Sequence, residues 1–306
     1  MRKGLASKRI LLHADCILRC QPLQDGSSFP KECKLTPAAL LPFPPGCRAA
    51  RFLRREKRFF VIAELDGKII TAHTNNTGSM LGMLRPGAPV LLSPATTPGR
   101  KLAWTVEAIG QPGGTPGAFF WAGVNTSVPN RFLEAAFRAH LLPWTEGYDG
   151  LKREAACGES RLDGLFTSSD ASLPPLWVEC KNVTLVEDCV AAFPDAITAR
   201  GAKHLATLAR LVREGCRAAM LYLVQRPDGQ CFGPADYIDP AYAAAFYDAV
   251  AEGVEIHAVT AKVTEEGIFY DGLLPAVKRT ACSASESRGI SAQYRKPGIN
   301  AYNQKW

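Results

Sequence analysis

No stretch of the 306-residue chain approaches the roughly 18–20 consecutive apolar residues that a membrane-spanning helix needs. The basic start, Met1 through Arg9, imitates the first part of a secretion signal. The apolar run behind it is broken by His13, Asp15 and Arg19, and no small-residue cleavage site follows. Secreted and membrane-spanning readings fail, and the cytoplasm is the expected compartment. Internal repeats and low-complexity tracts are missing too. The Gly-rich segment Gly110–Gly117 has neither a strand-to-helix setting nor a Lys-Ser/Thr ending, so it is not a phosphate-binding loop. Gly-x-Ser-x-Gly does not occur.

Cysteines are present, at 16, 20, 33, 47, 157, 180, 189, 216, 231 and 282. In a long chain without a secretion signal they read as reduced thiols. One array has a metal-like start, Cys16-x3-Cys20 followed by Cys33 and Cys47. Zinc ligands come as two close pairs, and the second pair here is 14 positions apart, so a zinc site is disfavoured. Apolar residues at 47% and charged residues at 21% are ordinary globular values. The length suits one large or two smaller domains. A formal charge of +7 raises the expectation of an anionic partner such as nucleic acid.

Phe60–Leu65 and Lys68–His73 flank Asp66-Gly67, a strong hairpin signal because both turn residues tolerate positive φ. Further strands are predicted at 89–92, 101–109 and 118–124. Five short strands in about 75 residues point to a small barrel of the OB type. After Asn125 the spacing predicts a helix over 129–142, strands at 152–157, 161–166 and 176–181, and a helix over 198–214 stopped by Gly215. An apolar strand at 217–225 follows, then a helix opened by Asp239-Pro240 and closed by Gly253. A last strand is predicted at 254–262. The expected class is mixed α/β: an OB-like barrel, then a mixed sheet flanked by helices.

Asp163, Glu179 and Lys181 stand out in the second half. Strand alternation puts Glu179 and Lys181 on one face and Val178 and Cys180 on the other. Two carboxylates beside an ammonium are costly to bury unless they bind something. Mg²⁺ (or Mn²⁺) suits oxygen donors, and the lysine could orient or deprotonate a water beside a phosphodiester. A surface salt bridge at a strand end is the competing reading, since Glu32-Cys33-Lys34 and Asp66-Gly67-Lys68 share the acid-x-Lys spacing.

Asp163 followed by Glu179-x-Lys181 in an α-β-β-β-α-β order resembles the PD-(D/E)XK nuclease superfamily. More narrowly, the chain resembles the sugar fermentation stimulation protein family, SfsA. The segments that carry this are Lys57–Phe60, Ala72–Met80, Arg100–Leu102, Val124–Thr126, Pro129–Arg131, Ser160–Asp163, Val178–Leu185 and Phe193–Leu205. The resemblance covers about residues 43–280. It implies an OB-like barrel over 43–124 and a nuclease-fold domain over 125–280, with DNA binding and a regulatory link to sugar (maltose) metabolism. By the superfamily's pattern Asp163, Glu179 and the Cys180 carbonyl would ligate Mg²⁺, and Lys181 would serve the water. Glu134 and Glu154 are both candidates for a further acidic position. Asn75 stands where the family usually has proline, and Ser79 often corresponds to arginine.

Arg51, Arg54, Arg55, Lys57 and Arg58 cluster at the start of the barrel with Phe52, Phe59 and Phe60 interleaved. Such a face suits nucleic acid, or the aromatics belong to the core. Arg100 and Lys101 extend the patch. Arg200, Lys203 and His204, within one helical turn, and Arg161, beside Asp163, are the expected phosphate contacts of the second domain; a solvated helix face is the alternative for the helical three. Residues 1–42 hold seven basic and three acidic residues and 281–306 four and one, while 43–280 carries 25 of each. The positive excess lies in two extensions, either DNA-gripping arms or, for 1–42, the product of a start set too far upstream. Three functions follow: a largely sequence-independent DNA-binding protein, an Mg²⁺-dependent nuclease on DNA or RNA, or a regulatory protein scaffold. The oligomeric state, a homodimer included, stays open.

Overall fold

The computed structural model describes residues 38–158 and 160–276. Cys16, Cys20 and Cys33 of the disfavoured metal array lie outside the described residues, as does most of both basic extensions. Strand β1 (Leu41–Pro42) leads into β2 (Arg48–Glu56), β3 (Phe60–Leu65), β4 (Lys68–His73), β5 (Pro89–Pro94), β6 (Trp104–Pro112) and β7 (Phe119–Gly123). Strands β2 to β6 pair in the order β4-β3-β2-β5-β6, and a bridge from His73 to Thr105 closes the ring. The β3–β4 hairpin turns at Asp66-Gly67 with φ of 51° and 73°, as the dipeptide predicts. Alternate residues fill the barrel, among them Phe52, Val61, Ala63, Val90, Leu92, Val106 and Ile109. Burying each of the larger of these, the valines, Leu92, Ile109 and Phe52, contributes about 1.5–3 kcal/mol.

Helix α1 (Val128–Arg138) follows, with Pro129 in its first turn and Val128, Phe132, Leu133 and Ala136 as its buried stripe. Then come β8 (Gly150–Cys157), β9 (Ser160–Thr167), β10 (Leu176–Val183), β11 (Leu185–Glu187), β12 (Val190–Phe193), α2 (Ala199–Arg213), β13 (Arg217–Val224), β14 (Cys231–Pro234), α3 (Pro240–Ala251), β15 (Glu255–Val263) and β16 (Gly267–Leu274). Strands β10, β13 and β15 are parallel, joined by α2 and α3 as crossovers, while β8 and β9 add antiparallel strands at one edge. Helix α1 covers one face of the sheet, over Leu176, Val178 and Cys180. Helices α2 and α3 cover the other, over Met220, Tyr222 and Val224. Among the described residues no helix is long and apolar enough to cross a membrane.

The mixed α/β class and the α-β-β-β-α-β order hold. Seven strands, not five, precede α1: the two-residue β1, and Arg48–Glu56, which pairs along its whole length with β3 and β5. The strand at β15 is not the last: β16 folds back on it and also pairs with β1. A small sheet of β11, β12 and β14 lies between the predicted elements, its strands only three or four residues long.

The barrel strands and the larger sheet are continuous. β7 pairs with β6 on one side and, through Trp121 and Val263, with β15 on the other. The chains come very close there. Gly123 N–H donates to the Gln225 carbonyl at 3.1 Å, and a Cβ on Gly123 would stand 2.3 Å from Gln225 Oε1. Only glycine permits this approach.

Candidate active site

The hydrogen-bond ladder between β9 and β10 runs from Leu176 and Phe166 to Val178 and Gly164, then stops. One residue further along β9, Asp163 turns its carboxylate into the gap. Its Oδ2 accepts from the Cys180 backbone N–H at 2.7 Å, and its Oδ1 accepts from Asn130 Nδ2 of α1 at 2.7 Å. A side chain thus takes over where a strand partner has left, satisfying a buried donor. Burial, with help from the nearby Glu179 charge, pushes Asp163 up to about 6.

Glu179 is 3% exposed and points from β10 toward α2. Its Oε1 accepts from both Lys181 Nζ and His204 Nδ1. Burial by itself pushes Glu179 up, but the His204 hydrogen bond and the Lys181 charge more than offset it, leaving the carboxylate below its ordinary value. Its other oxygen, Oε2, is buried and has no hydrogen-bond partner. The ring of His204 is assigned with its proton on Nδ1, since Nε2 faces the Arg200 Nε–H at 3.5 Å. His204 is therefore no solvated surface histidine; it is 6% exposed. Helix α2 is aimed by its start: Thr198 Oγ1 accepts from Gly201 N–H, and Asp239, the N-cap of α3, accepts from Thr198 N–H at 2.8 Å.

The structure brings together Asp163, Glu179, Lys181, Arg200 and His204, with the Cys180 N–H on Asp163. Cys180 turns its thiol into the core, where burial raises its pKa well above the ordinary value. Glu134 is held by Arg138 at 2.6 Å and Arg153 at 3.0 Å. Glu154, on β8 with φ 47°, pairs with Arg161 at 3.2 Å. Both candidates for the further acidic position thus have arginine partners. Among the described residues no cluster of three or more His, Cys, Asp or Glu stands ready to hold a metal ion. Asn130 was visible only as part of a motif. Its signal is position: it lies one turn before Glu134, on the same helix face.

The barrel's basic cluster is largely committed to its own carboxylates and carbonyls. Arg51 pairs with Glu64, and Arg54 with Glu56 at 2.7 Å. Arg55 donates to the carbonyls of Arg58, Asn76 and Gly78, fastening the 74–80 loop to the β2–β3 turn. Phe52 is core, whereas Phe59 is 46% exposed. Arg100 donates to Thr105 Oγ1 at 2.7 Å. Lys57, Arg58, Lys101 and Lys203 have no side-chain hydrogen bond or ion pair among the described residues. Arg55 and Arg58 form one wall of a cavity of about 550 Å³ whose other wall is the 193–198 segment leading into α2.

Two family models match the chain. The "SfsA N-terminal OB domain" covers residues 53–116, and the "Sugar fermentation stimulation protein RE domain" covers 127–267. A sugar fermentation stimulation protein homolog from Maridesulfovibrio salexigens is 55% identical over 77% of this chain and 96% of its own length. The chain belongs to the sugar fermentation stimulation protein family. The homolog from Lawsonia intracellularis is 47% identical over 76% of this chain and 96% of its own. Among solved structures, Pyrococcus furiosus SfsA in complex with Ca²⁺ matches with a TM-score of 0.71 and 29% identity, over 79% of this chain and 100% of that one.

The two positions expected to depart from the family pattern, Asn75 and Ser79, both make hydrogen bonds in the structure. Asn75 donates to Asn125 Oδ1 at 2.6 Å and accepts from Thr126 N–H at 3.0 Å, tying the barrel to the residues before α1. Ser79 donates to the Asp195 carbonyl at 2.6 Å, and Asp195 Oδ2 accepts from Met80 N–H at 2.8 Å. Position 79 thus fastens the barrel to the segment leading into α2.

Proposed function

We propose that this chain is a nucleic-acid-binding protein that hydrolyses phosphodiester bonds with a divalent cation, Mg²⁺ or Mn²⁺. The observation that carries the reading is Glu179 Oε2, a buried carboxylate oxygen without a partner beside a second, half-buried carboxylate, Asp163. Such an atom costs stability unless something binds it. Two carboxylates and the Cys180 carbonyl are a donor set that suits a hard divalent ion. The Ca²⁺ named for Pyrococcus furiosus SfsA supports a cation of this kind. When bound, the cation would supply charge stabilisation at a phosphoryl oxygen and an acidified water.

The chain's own residues do the positioning. Asn130 and the Cys180 N–H fix the Asp163 rotamer, and His204 and Lys181 hold one oxygen of Glu179 so that the other is left for a ligand. Arg58, Arg200 and Lys203 supply phosphate contacts, with Arg161, Arg100 and Lys101 further out. In this reading residues 43–124 are the binding barrel and 125–280 carry the chemistry. Labelled single- and double-stranded DNA and RNA incubated with Mg²⁺ or Mn²⁺ test it. Cleavage that disappears in Asp163→Ala and in Lys181→Ala is expected; cleavage that survives in either sinks the assignment.

A second reading, DNA binding without turnover by a regulator linked to sugar metabolism, is favoured by one detail. The Lys181 ammonium is engaged with Glu179 rather than free to serve a water. Salt-dependent binding with no cleavage in any metal would select it.

A further inference from the structure

A second cavity, of about 710 Å³, shares no lining residue with the carboxylate site. It opens between the barrel, the first turn of α1 and the entry segment around Phe43. Its floor is Glu107, 7% exposed, whose Oε1 accepts from Ser93 Oγ at 2.6 Å and whose Oε2 accepts from Asn125 Nδ2 at 2.8 Å. Each carboxylate oxygen keeps a further acceptor site. No lysine or arginine pairs with Glu107 among the described residues, which is unusual for a buried carboxylate. The cations stand at the rim instead. Arg131 has no hydrogen bond or ion pair among the described residues, and Arg100 commits one nitrogen to Thr105. Between floor and rim lies His73, whose Nδ1 is buried and unpartnered. Phe43 and Pro44 form an apolar wall.

This lining is bipolar. Two guanidiniums suit a phosphate, and a carboxylate beneath them repels a bare anion but accepts hydrogen bonds from hydroxyl or amino groups. The volume falls in the range of small-molecule sites and far exceeds that of an inorganic ion. None of His73, Arg100, Asn125 and Arg131 hydrogen-bonds to Asp163 or Glu179, whose partners are Asn130, the Cys180 N–H, Lys181 and His204. We propose that this cavity is a nucleotide site that takes a terminal phosphate monoester between Arg100 and Arg131, with the sugar or base donors on Glu107 and the base against Phe43. The monoester belongs either to a free mononucleotide or to the end of a nucleic-acid strand.

The test is calorimetric titration of the full chain, without divalent metal. The probes are deoxyadenosine monophosphate, deoxyadenosine, inorganic phosphate, and a short oligonucleotide with and without a 5′-phosphate. The monophosphate, or the phosphorylated oligonucleotide over its hydroxyl-ended form, is expected to bind, and which of the two does so identifies the source. Arg100→Ala and Arg131→Ala should each weaken that binding about tenfold or more. Arg131 is exposed and unpartnered, so its loss leaves the fold intact. Asp163→Ala should retain the binding, which separates this site from the cleavage reading. Binding unchanged in both arginine variants, inorganic phosphate as tight as the nucleotide, or no binding by any phosphate-bearing probe would overturn the proposal.

Discussion

Replacing Asp163 by asparagine isolates what the buried charge costs. An amide is close in shape to a protonated carboxyl. The new side chain's carbonyl can still accept from the Cys180 N–H, and its NH2 can meet Asn130 once that amide flips. Asp163 rises from its ordinary 3.8 to about 6 in the fold, which corresponds to about 3 kcal/mol against the ionised form. Solvent screening of a partly exposed group trims this to about 1–3 kcal/mol. The sign follows from linkage. A raised acid pKa means that the native state binds the extra proton, so this group's support for folding is full below pH 3.8 and lost as pH rises through about 6. Asp163→Asn should therefore be the more stable chain at pH 8, by about 1–3 kcal/mol, with the gap closing by pH 4. Urea unfolding followed by tryptophan emission at pH 8, 6 and 4 measures it. Saturating divalent cation should then close the gap at pH 8 or reverse it, since a ligand at 100 times its Kd adds about 2.7 kcal/mol to the wild type alone. A variant less stable at pH 8 by an amount independent of pH would refute the assignment of cost to the charge.

Other outcomes follow from the same geometry. His204→Ala leaves Glu179 Oε1 to Lys181 alone and should lower cleavage or cation affinity about 10–100-fold, read by titration with Mn²⁺. Gly123→Ala drives a Cβ against Gln225 and should cost about 1–3 kcal/mol in thermal unfolding. Glu255 is pushed up by burial, but hydrogen bonds from His257 and Arg217 more than offset this and bring it down to about 2. Its contribution is present above pH 4.5 and lost as pH falls through about 2, so Glu255→Gln should be destabilised at pH 7 and match the wild type in strong acid, as urea unfolding at the two pH values would show.

Strand alternation around Val178–Lys181 and the cap signals at Asp239-Pro240 and Gly215 were readable because they rest on local periodicity and backbone chemistry. The barrel hairpin at Asp66-Gly67 was readable for the same reason. The β2–β3 turn was not: Lys57 and Arg58 adopt φ of 47° and 60° without any glycine or asparagine to announce it. That turn is held by Arg55, a tertiary device with no sequence pattern. The basic cluster read as a nucleic-acid face because a linear sequence shows charges but not partners. Glu64 and Glu56 meet Arg51 and Arg54 only through pairing. Asp163 and Glu179 were legible as residue types on adjacent strands, whereas His204 as a buried partner depended on where α2 packs.

The fastening through Asp195 has a mechanical meaning. One carboxylate and its carbonyl grip Ser79 and Met80 of the barrel, and three residues later the chain begins the N-cap of the helix that carries His204. Barrel, loop, helix and Glu179 are thus links in series, and load applied at one end is felt at the other. A strand that levers the barrel loop would shift the histidine holding Glu179 in place.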